Sequence, residues 1–469
     1  MRVLLVVYDN DMYCHWFPQG MAYIAAALIQ ARHDVEIYSQ DKHHYPEEHL
    51  TAYLDENKFD VICVGVIAGY YQYRKLLKIS EAISKSKNRP FYVLGGHGPS
   101  PEPEYFLRKT QADAVVIGEG EVTIVELMDA LFHRRPLYSV NGIAFRAAPS
   151  APSWKEKIII NEKRPLIEDI NSITFPAYHL FPMDYYRMLR MPHTENSDFV
   201  MPVLSGRGCS FKCSFCYRMD KGFRPRSNEN IISEIKLLKG MYGITYIAFS
   251  DELLMSSSER TVSLCKDIIE AKLNIKWCCN GRLNFARPDV LYLMKQAGCV
   301  FINYGIESMD DEVLKNMNKV LTTDQIVRGI EATLDAGISP GFNIIFGNIG
   351  DNRETLRKGV NFLLEYDDGS QMRTIRPVTP YPGSPLYYHA IEKGLLKDCE
   401  DFYENKHINA DLLSVNFTEL SDDEFHRCLY EANNRLLDKY FKEKFYDLVE
   451  QSKKLYSEKN INFRGFRQS

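Results

Sequence analysis

The segment Ser205-Gly-Arg-Gly-Cys-Ser-Phe-Lys-Cys-Ser-Phe-Cys-Tyr217 places Cys209, Cys213 and Cys216 in the spacing C-x-x-x-C-x-x-C, directly after an apolar run. A short loop of this kind brings three thiolates to one object, and thiolates select soft metals and iron–sulfur clusters. A closed structural zinc site needs one more protein ligand, and no further Cys or His lies nearby in the sequence. The motif therefore predicts a cluster with one iron open to a non-protein ligand. Buried core cysteines and a partial zinc site are the alternatives.

Composition limits the remaining possibilities. The chain has 469 residues, 45% of them hydrophobic, and a formal net charge of −5. This length predicts roughly two or three domains, and the slight acidity argues against a nucleic-acid partner. No run reaches about 18 unbroken apolar residues, so no membrane span is predicted. The eleven cysteines are scattered and odd in number, which favours reduced thiols and a cytoplasmic location.

Residues 1–140 alternate short apolar runs with helical patterns. This alternation predicts a Rossmann-like, doubly wound parallel sheet, which binds ligands beyond the carboxyl ends of its strands. Glycine-rich segments follow the runs, and glycine lets backbone approach a ligand closely. No G-x-G-x-x-G motif directly follows the first run, so a dinucleotide is not favoured. The runs are Val3–Tyr8, Val35–Tyr38, Val61–Ile67, Phe91–Leu94 and Ala114–Ile117.

The rest of the chain divides into three parts. Residues 141–198 are predicted to be a hairpin and a proline- and aromatic-rich linker. Residues 199–385 again alternate strand-like and helical patterns, which predicts a partial (β/α)6 barrel of TIM type. Residues 386–469 are predicted to be a helical C-terminal domain on the barrel, with a capping box at Ser421 and Glu424. The six barrel runs are Phe199–Leu204, Thr245–Phe249, Ile275–Cys279, Cys299–Tyr304, Gly341–Phe346 and Arg373–Val378.

The cysteine motif and the strand ends behind it resemble the radical S-adenosylmethionine (SAM) enzymes. The resemblance implies that the three cysteines hold a 4Fe-4S cluster, whose open iron takes the amino and carboxylate groups of SAM. An ion pair between Asp251 and Arg282 across the barrel rim is the alternative for two of these residues. The usual Gly-x-Pro-Gly-Glu segment is here Gly347-Asn-Ile-Gly-Asp351, which leaves the roles at that strand end open. The SAM contacts implied are Phe215, Ser250, Asp251, Glu252, Arg282, Glu307 and Gly347.

Residues 1–140 resemble the cobalamin-binding domain that is often fused in front of a radical SAM barrel. The cobalamin module of corrinoid methyltransferases carries an Asp-x-His-x-x-Gly loop, and here only Asp11 and His15 approach it, at the wrong spacing. Either cobalt has no histidine ligand or the domain has lost cobalamin. Tyr70 either faces the lower side of cobalt or packs in the ordinary way. The cobalamin contacts implied are Gln19, Gly20, Gly65, Gly69, Tyr70, Gly95, Gly96, His97, Gly118, Glu119 and Gly120.

Together the resemblances imply a cobalamin-dependent radical SAM enzyme. Its expected reaction is methyl transfer to an unactivated carbon, or to phosphinate phosphorus, of a small molecule, through a 5′-deoxyadenosyl radical and methylcobalamin. An electron donor of flavodoxin or ferredoxin type is also implied. The alternatives are a cyclisation, ring rearrangement or carbon–carbon coupling with the same cofactors, and a non-catalytic cobalamin or iron–sulfur sensor. The sequence identifies neither substrate nor catalytic residue; Cys278 and Cys279 are either radical-handling thiols or, more commonly, core residues.

Overall fold

The computed structural model of the protein describes residues 1–147, 157–219 and 222–459. A seven-stranded sheet in the first part has the order β2-β1-β3-β4-β5-β6-β7. Its first five strands are parallel, whereas β6 and β7 add to the edge in antiparallel pairs. The strands are β1 (Arg2–Val7), β2 (Asp34–Ser39), β3 (Val61–Gly65), β4 (Phe91–Gly95), β5 (Ala114–Val116), β6 (Ile143–Arg146) and β7 (Ile158–Ile160).

Helices cover both faces of this sheet, because its strands are apolar on both sides. Val3 and Leu5 of β1 pack in the core on one face, with α1 and α6. Leu4 and Val6 pack in the core on the other face, with α3, α4 and α5. The doubly wound prediction is therefore confirmed. The helices are α1 (Gln19–Gln30), α2 (Gln40–His43), α3 (Glu47–Glu56), α4 (Tyr70–Lys85), α5 (Pro103–Thr110) and α6 (Glu121–Phe132), followed by a 3-10 turn at Leu137–Ser139.

The linker to the second part packs through aromatic side chains around Phe17. The ring centroid of Phe17 lies 5.4 Å from Tyr178, 5.1 Å from Phe181 and 5.1 Å from Tyr186. All four belong to the core that also fills the second sheet, so the linker is part of the packed molecule. It contains α7 (Met183–Tyr186) and two 3-10 turns, Ile170–Ser172 and Tyr178–Leu180.

Six parallel strands form the second sheet, in the order β15-β14-β13-β12-β11-β8. Each is separated from the next by helix, as a partial barrel requires, and this prediction is also confirmed. The last strand is shorter than its predicted run, since only Arg376 and Pro377 pair with β14. The strands are β8 (Val200–Val203), β11 (Tyr246–Phe249), β12 (Lys276–Gly281), β13 (Cys299–Glu307), β14 (Ser339–Phe346) and β15 (Arg376–Pro377).

An antiparallel hairpin that the sequence did not predict interrupts the barrel after β8. It consists of β9 (Gly206–Cys209) and β10 (Gly222–Pro225). The cysteine segment thus begins on a strand and continues as the hairpin loop. The barrel helices are α8 (Asn228–Tyr242), α9 (Ser258–Glu270), α10 (Pro288–Gln296), α11 (Asp311–Asn316), α12 (Thr323–Asp335) and α13 (Arg353–Tyr366), with a 3-10 turn at Leu283–Phe285.

The C-terminal part is helical, and its two halves pack on different sheets. Tyr387, Phe402 and Tyr403 join the core of the first sheet, whereas α16 packs on the barrel core through Phe425 and Leu429. The expected packing on the barrel therefore holds for α16 alone. The elements are α14 (Pro385–Glu392), α15 (Cys399–Asp401), a π-helical turn at Phe402–Lys406 and α16 (Asp422–Glu458), which starts with the predicted capping box.

No helix in the described ranges has the length and apolar character needed to cross a bilayer. The domain boundaries at residues 140, 198 and 385 stay predictions.

Candidate functional site

The three cysteines of the motif lie on one short piece of chain at the barrel mouth. Cys209 is the last residue of β9, and Cys213 and Cys216 lie in the hairpin loop. All three are free thiols. Burial, followed by the neighbouring thiol groups, raises the pKa of Cys216 to about 11, so a metal must displace a proton to bind there. Among the described residues, no three His, Cys, Asp or Glu side chains are placed to hold a single metal ion, as a zinc site would require.

A second loop, residues 317–320, holds the cysteine loop through one backbone and one side-chain hydrogen bond. The Ser214 N–H donates to the Met317 carbonyl at 2.8 Å, and the Asn318 amide donates to the Lys212 carbonyl at 2.9 Å. Val320 has φ +52°, a left-handed conformation that is costly for a β-branched side chain. Such strain persists where surrounding structure imposes it, often near functional sites. The geometry of the cysteine loop is thus set before any ligand binds.

Arg282 lies directly against the cysteines. Its Nη1 donates to Cys213 Sγ at 3.8 Å, and its guanidinium carbon stands 3.5 Å from the ring centroid of Phe211. Its Nη2 donates to the Lys319 carbonyl. The rim ion pair with Asp251 that was the alternative is wrong, because Asp251 has other partners. Arg282 faces the sulfur side of the site.

Asp251 is fully buried and serves the protein itself. Its Oδ1 accepts the Ser205 N–H at 2.5 Å, and its Oδ2 accepts the Ser205 hydroxyl. Burial raises the pKa of Asp251 to about 6, against the lowering effect of these hydrogen bonds. The carboxylate thus braces the start of the cysteine segment. The SAM contact of Asp251 stays a prediction. Glu252 beside it is exposed, and its Oε2 accepts the Gly208 N–H at 3.1 Å.

Glu307, Phe215 and Gly347 all lie at the barrel mouth. Glu307 Oε1 accepts from the buried Lys319 ammonium at 2.8 Å, and that ammonium stands 5.7 Å from the ring centroid of Phe215. Gly347 has φ +100°, and an added Cβ would lie 2.8 Å from the Phe425 ring. Asp351 accepts the Gly347 N–H at 3.0 Å, so this carboxylate holds the loop where the family pattern has Glu.

Several residues assigned to cobalamin lie at the carboxyl edge of the first sheet, but not all of them face open space. An added Cβ meets nothing within 4 Å at Gly20 and at Gly118, where φ is +79°. At Gly96, with φ +96°, it would lie 2.5 Å from the Val66 carbonyl oxygen. At three others an added Cβ would meet helix side chains: Met21 at Gly65, Gln72 at Gly69 and Ile24 at Gly120. The cobalamin contacts of these three stay predictions. Gly95 meets only ordinary contacts with Val116.

Gln19 and Glu119, which are predicted cobalamin contacts, both bind the barrel half. Gln19 Oε1 accepts from the Ser250 hydroxyl at 2.7 Å, so one hydrogen bond joins a predicted cobalamin residue to a predicted SAM residue. Glu119 Oε1 accepts from Arg207 at 2.8 Å and from Arg224 at 2.9 Å. These polar atoms thus join the two halves, and the cobalamin contacts of both residues stay predictions.

Arg207 extends this junction into an ion-pair clamp. Its Nη2 donates to Glu121 Oε1 at 2.5 Å, and the side chains of Arg207, Glu119 and Glu121 are all largely buried. Burial alone would lower the pKa of Arg207, but Glu121 and Glu119 raise it. Arg207 and Arg224 belong to the hairpin that carries Cys209. We call this set of four charged residues the hairpin clamp; no pattern in the sequence predicts it.

The two carboxyl edges meet at the end of the cysteine loop. The rings of His97, from the loop after β4, and Tyr217, next to Cys216, are edge to face with centroids 6.2 Å apart. An added Cβ at Gly383 would lie 2.6 Å from Tyr217 and 2.7 Å from Pro101. His97, a predicted cobalamin contact, therefore touches the residue next to the predicted cluster ligand Cys216 across the junction.

His407 is a residue that the sequence did not single out. It is fully buried among aromatic rings, with centroids 6.5 Å from Tyr70, 5.4 Å from Tyr381 and 5.1 Å from Phe402. Neither ring nitrogen has a hydrogen-bond partner in the described part of the chain. Burial lowers the pKa of His407 to about 4, so the ring is neutral. An unsatisfied buried imidazole requires an explanation, and a polar group of a bound ligand supplies one.

Cys278 and Cys279 are core residues. Both are buried in β12, and burial raises the pKa of both thiols. Cys279 interacts with the buried Cys299 rather than with the mouth. Buried, protonated thiols of this kind are unreactive, which favours the packing interpretation.

The residues present fit the cofactors that the sequence implied. Three free thiols beside a buried guanidinium have the donor chemistry of a cluster site. Gly20 and Gly118, which leave open space at the edge of a parallel sheet, and the unsatisfied imidazole of His407 beside Tyr70 suit a large polar ligand such as a corrinoid.

Comparisons with known proteins agree with both halves. The model of the B12 binding domain matches residues 4–128, and that of the radical SAM superfamily matches residues 203–363. An uncharacterized methyltransferase of Pyrococcus horikoshii is 30% identical over 81% of this chain and 79% of its own length. The anaerobic magnesium-protoporphyrin IX monomethyl ester cyclase of Rubrivivax gelatinosus is 26% identical over 92% and 81%.

Among solved structures, the radical SAM methyltransferase TsrM of Kitasatospora setae, with cobalamin and a 4Fe-4S cluster bound, has the same fold. It matches with a TM-score of 0.68 over 84% of this chain and 75% of that protein, at 18% sequence identity.

Proposed function

Because this chain belongs to the cobalamin-binding radical SAM enzyme family, we propose that it transfers a methyl group from SAM to an unactivated carbon, or to phosphinate phosphorus, of a small molecule. The observation that carries the proposal is the contact of His97 with Tyr217, which puts the cysteine loop against the glycine-rich edge of the first sheet. When bound, the cluster and cobalamin supply reductive SAM cleavage and methyl-group transfer, and the protein supplies position and shielding.

The chain's own residues divide this work. Cys209, Cys213 and Cys216 would hold the cluster, and Glu307 with the backbone at Gly347 would meet SAM. Gly20, Gly96 and Gly118 would let backbone approach the corrinoid, and His407 would pair with one of its polar groups. The hairpin clamp holds the first half against the hairpin that carries Cys209, and would thereby hold the two cofactor sites next to each other.

The experiment is anaerobic reconstitution of the full chain with iron, sulfide, hydroxocobalamin and SAM carrying a labelled methyl group. Bound iron and corrinoid, deoxyadenosine on reduction, and label in the product support the proposal. Iron-free protein, or protein that retains no corrinoid, contradicts it.

A second candidate is a cyclisation or rearrangement with the same cofactors. The observation in its favour is the cyclase of Rubrivivax gelatinosus, whose similarity covers 92% of this chain. It predicts deoxyadenosine without label in the product. A non-catalytic sensor predicts neither deoxyadenosine nor label in a product.

We also propose a small-molecule substrate and an electron donor of flavodoxin or ferredoxin type, in the cytoplasm and without nucleic acid. The free thiols at all eleven cysteines support a reducing compartment. A reduced donor protein that sustains deoxyadenosine formation in place of a chemical reductant is the test.

A further inference from the structure

Arg282 is a buried cation that lacks a carboxylate partner. The residue is 6% exposed, and none of the ion pairs in the part of the chain that the structure describes involves it. Burying a charge is costly unless an opposite charge accompanies it. Its Nη1 lies against Cys213 Sγ at 3.8 Å, so the charge faces the sulfur side of the site.

The guanidinium is fixed in this pose by protein contacts alone. Besides Cys213 Sγ and the Phe211 ring, its Nε donates to Asn284 Oδ1 at 3.1 Å, and its Nη2 donates to the Lys319 carbonyl. These contacts use donors on every guanidinium nitrogen. The position of the charge therefore does not depend on SAM or on a substrate.

A second buried cation near the cysteines, Lys319, differs in this respect. Its ammonium pairs with Glu307 at 2.8 Å, and both side chains are buried, so the pair is neutral as a unit. Of the two, Arg282 is the one whose charge stays uncompensated beside the sulfur atoms.

We propose that Arg282 sets the reduction potential of the cluster, as a positioning residue that stabilises its reduced form. In the redox step one electron passes from the external donor to the cluster, which becomes more negative by one charge, while no bond or proton moves. A nearby cation and an N–H···S hydrogen bond favour the more negative form, and both are recognised controls on cluster potential. The inference rests on the proposed function, because it requires a cluster on these cysteines.

This role differs from the SAM contact that the sequence implied for Arg282. A residue that only binds the SAM carboxylate changes SAM affinity and leaves the SAM-free potential unchanged. A residue that acts on the cluster changes the potential when SAM is absent.

The test is a redox titration of the reconstituted full chain without SAM, followed by the electron paramagnetic resonance signal of the reduced cluster. In Arg282→Gln, which keeps hydrogen-bonding capacity but loses the charge, we expect the ratio of reduced to oxidised cluster at a fixed potential to fall about tenfold, equivalent to about 59 mV. Arg282→Lys, which keeps the charge, should retain most of that ratio. Arg287→Gln is the matched control, because Arg287 is exposed and pairs with Asp289.

Each outcome of the titration either supports or overturns the inference. A Gln variant that titrates like the wild type overturns the inference, as do equal shifts in the Gln and Lys variants, which would indicate a merely structural role. If Arg282→Gln loses its iron, Arg282→Lys decides: a wild-type potential supports the inference, and a shifted potential or loss of iron overturns it. Wild-type protein without iron would instead refute the proposed function, before the role of Arg282 is reached.

Discussion

The two carboxyl edges that meet at the cysteine loop are built in different ways. At the barrel edge, charged side chains are held by internal partners: Asp251 by Ser205, and Glu307 by Lys319. At the edge of the first sheet, Gly20 and Gly118 leave open space, and the ring nitrogens of His407 have no hydrogen-bond partner among the described residues. The barrel edge is thus ordered through side chains before a ligand binds, whereas the first edge depends on backbone shape. Substitutions at the two edges should accordingly have different effects.

The largest effect is expected from Cys213→Ala. Loss of one of three sulfur ligands should abolish cluster absorbance and deoxyadenosine formation together, since no other thiol in the described ranges belongs to the site. Cys265→Ala, in the core against the same barrel, is the control and should keep both. Deoxyadenosine from the Cys213 variant would refute the assignment of the motif.

Gly96→Ala should disturb the carboxyl edge of the first sheet and leave the barrel edge intact. Gly96 has φ +96°, and its added Cβ would collide with the Val66 carbonyl, so the loop must move. Corrinoid retained after gel filtration should fall at least about tenfold while iron content is unchanged. Gly240→Ala on α8 meets nothing within 4 Å and should keep both. Equal loss of iron and corrinoid would mean that the two edges are not independent.

A substitution in the hairpin clamp tests how strongly the two edges are joined. Glu119→Gln leaves Arg207 and Arg224 as buried cations short of one carboxylate, and breaking such pairs costs about 3–5 kcal/mol. The free energy of unfolding in denaturant should fall by that order. Glu354→Gln, which breaks an exposed pair with Arg357, should have no measurable effect. A Glu119 variant as stable as this control would show that the clamp carries no stability.

The smallest effect concerns the pH dependence of stability. Burial raises the pKa of Asp251 to about 6, so the folded protein binds a proton more tightly than the unfolded chain does. The stability that this protonation gives to the folded protein is present at low pH and is lost as pH rises through about 6. The Tm of Asp251→Asn, taken relative to the Tm of the wild type at the same pH, should therefore increase from pH 4.5 to about 6.5 and then level off. Asp289→Asn, at an exposed carboxylate, gives the reference curve, and parallel curves for the two variants would contradict the assignment.

The architecture was predictable because its signals are local. β1, β3 and β13 are near-continuous apolar runs, and the triad is a spacing within one loop. The hairpin β9–β10 was missed because it contains Gly206, Gly208 and Gly222, which weaken the strand pattern. The last barrel strand was predicted to be too long, since only two of its residues pair with β14.

Roles at the site were less predictable, because they depend on partners far apart in the chain. Glu119 and Arg207 are 88 residues apart, and only the fold brings them together. Asp251 follows a strand end as a ligand would, yet its carboxylate faces inward to Ser205. His407 carries no motif, and only its enclosure among rings from three segments makes it notable.

The hairpin that carries Cys209 has a mechanical consequence. One end of β9 holds a sulfur ligand, and Arg207, two residues earlier, is gripped by Glu119 and Glu121 of the first half. Any swing of the first half away from the barrel at this edge would pull on that ligand. Opening wide enough to exchange a bulky corrinoid would therefore strain the inorganic centre, so the order in which the two cofactors are loaded during maturation matters.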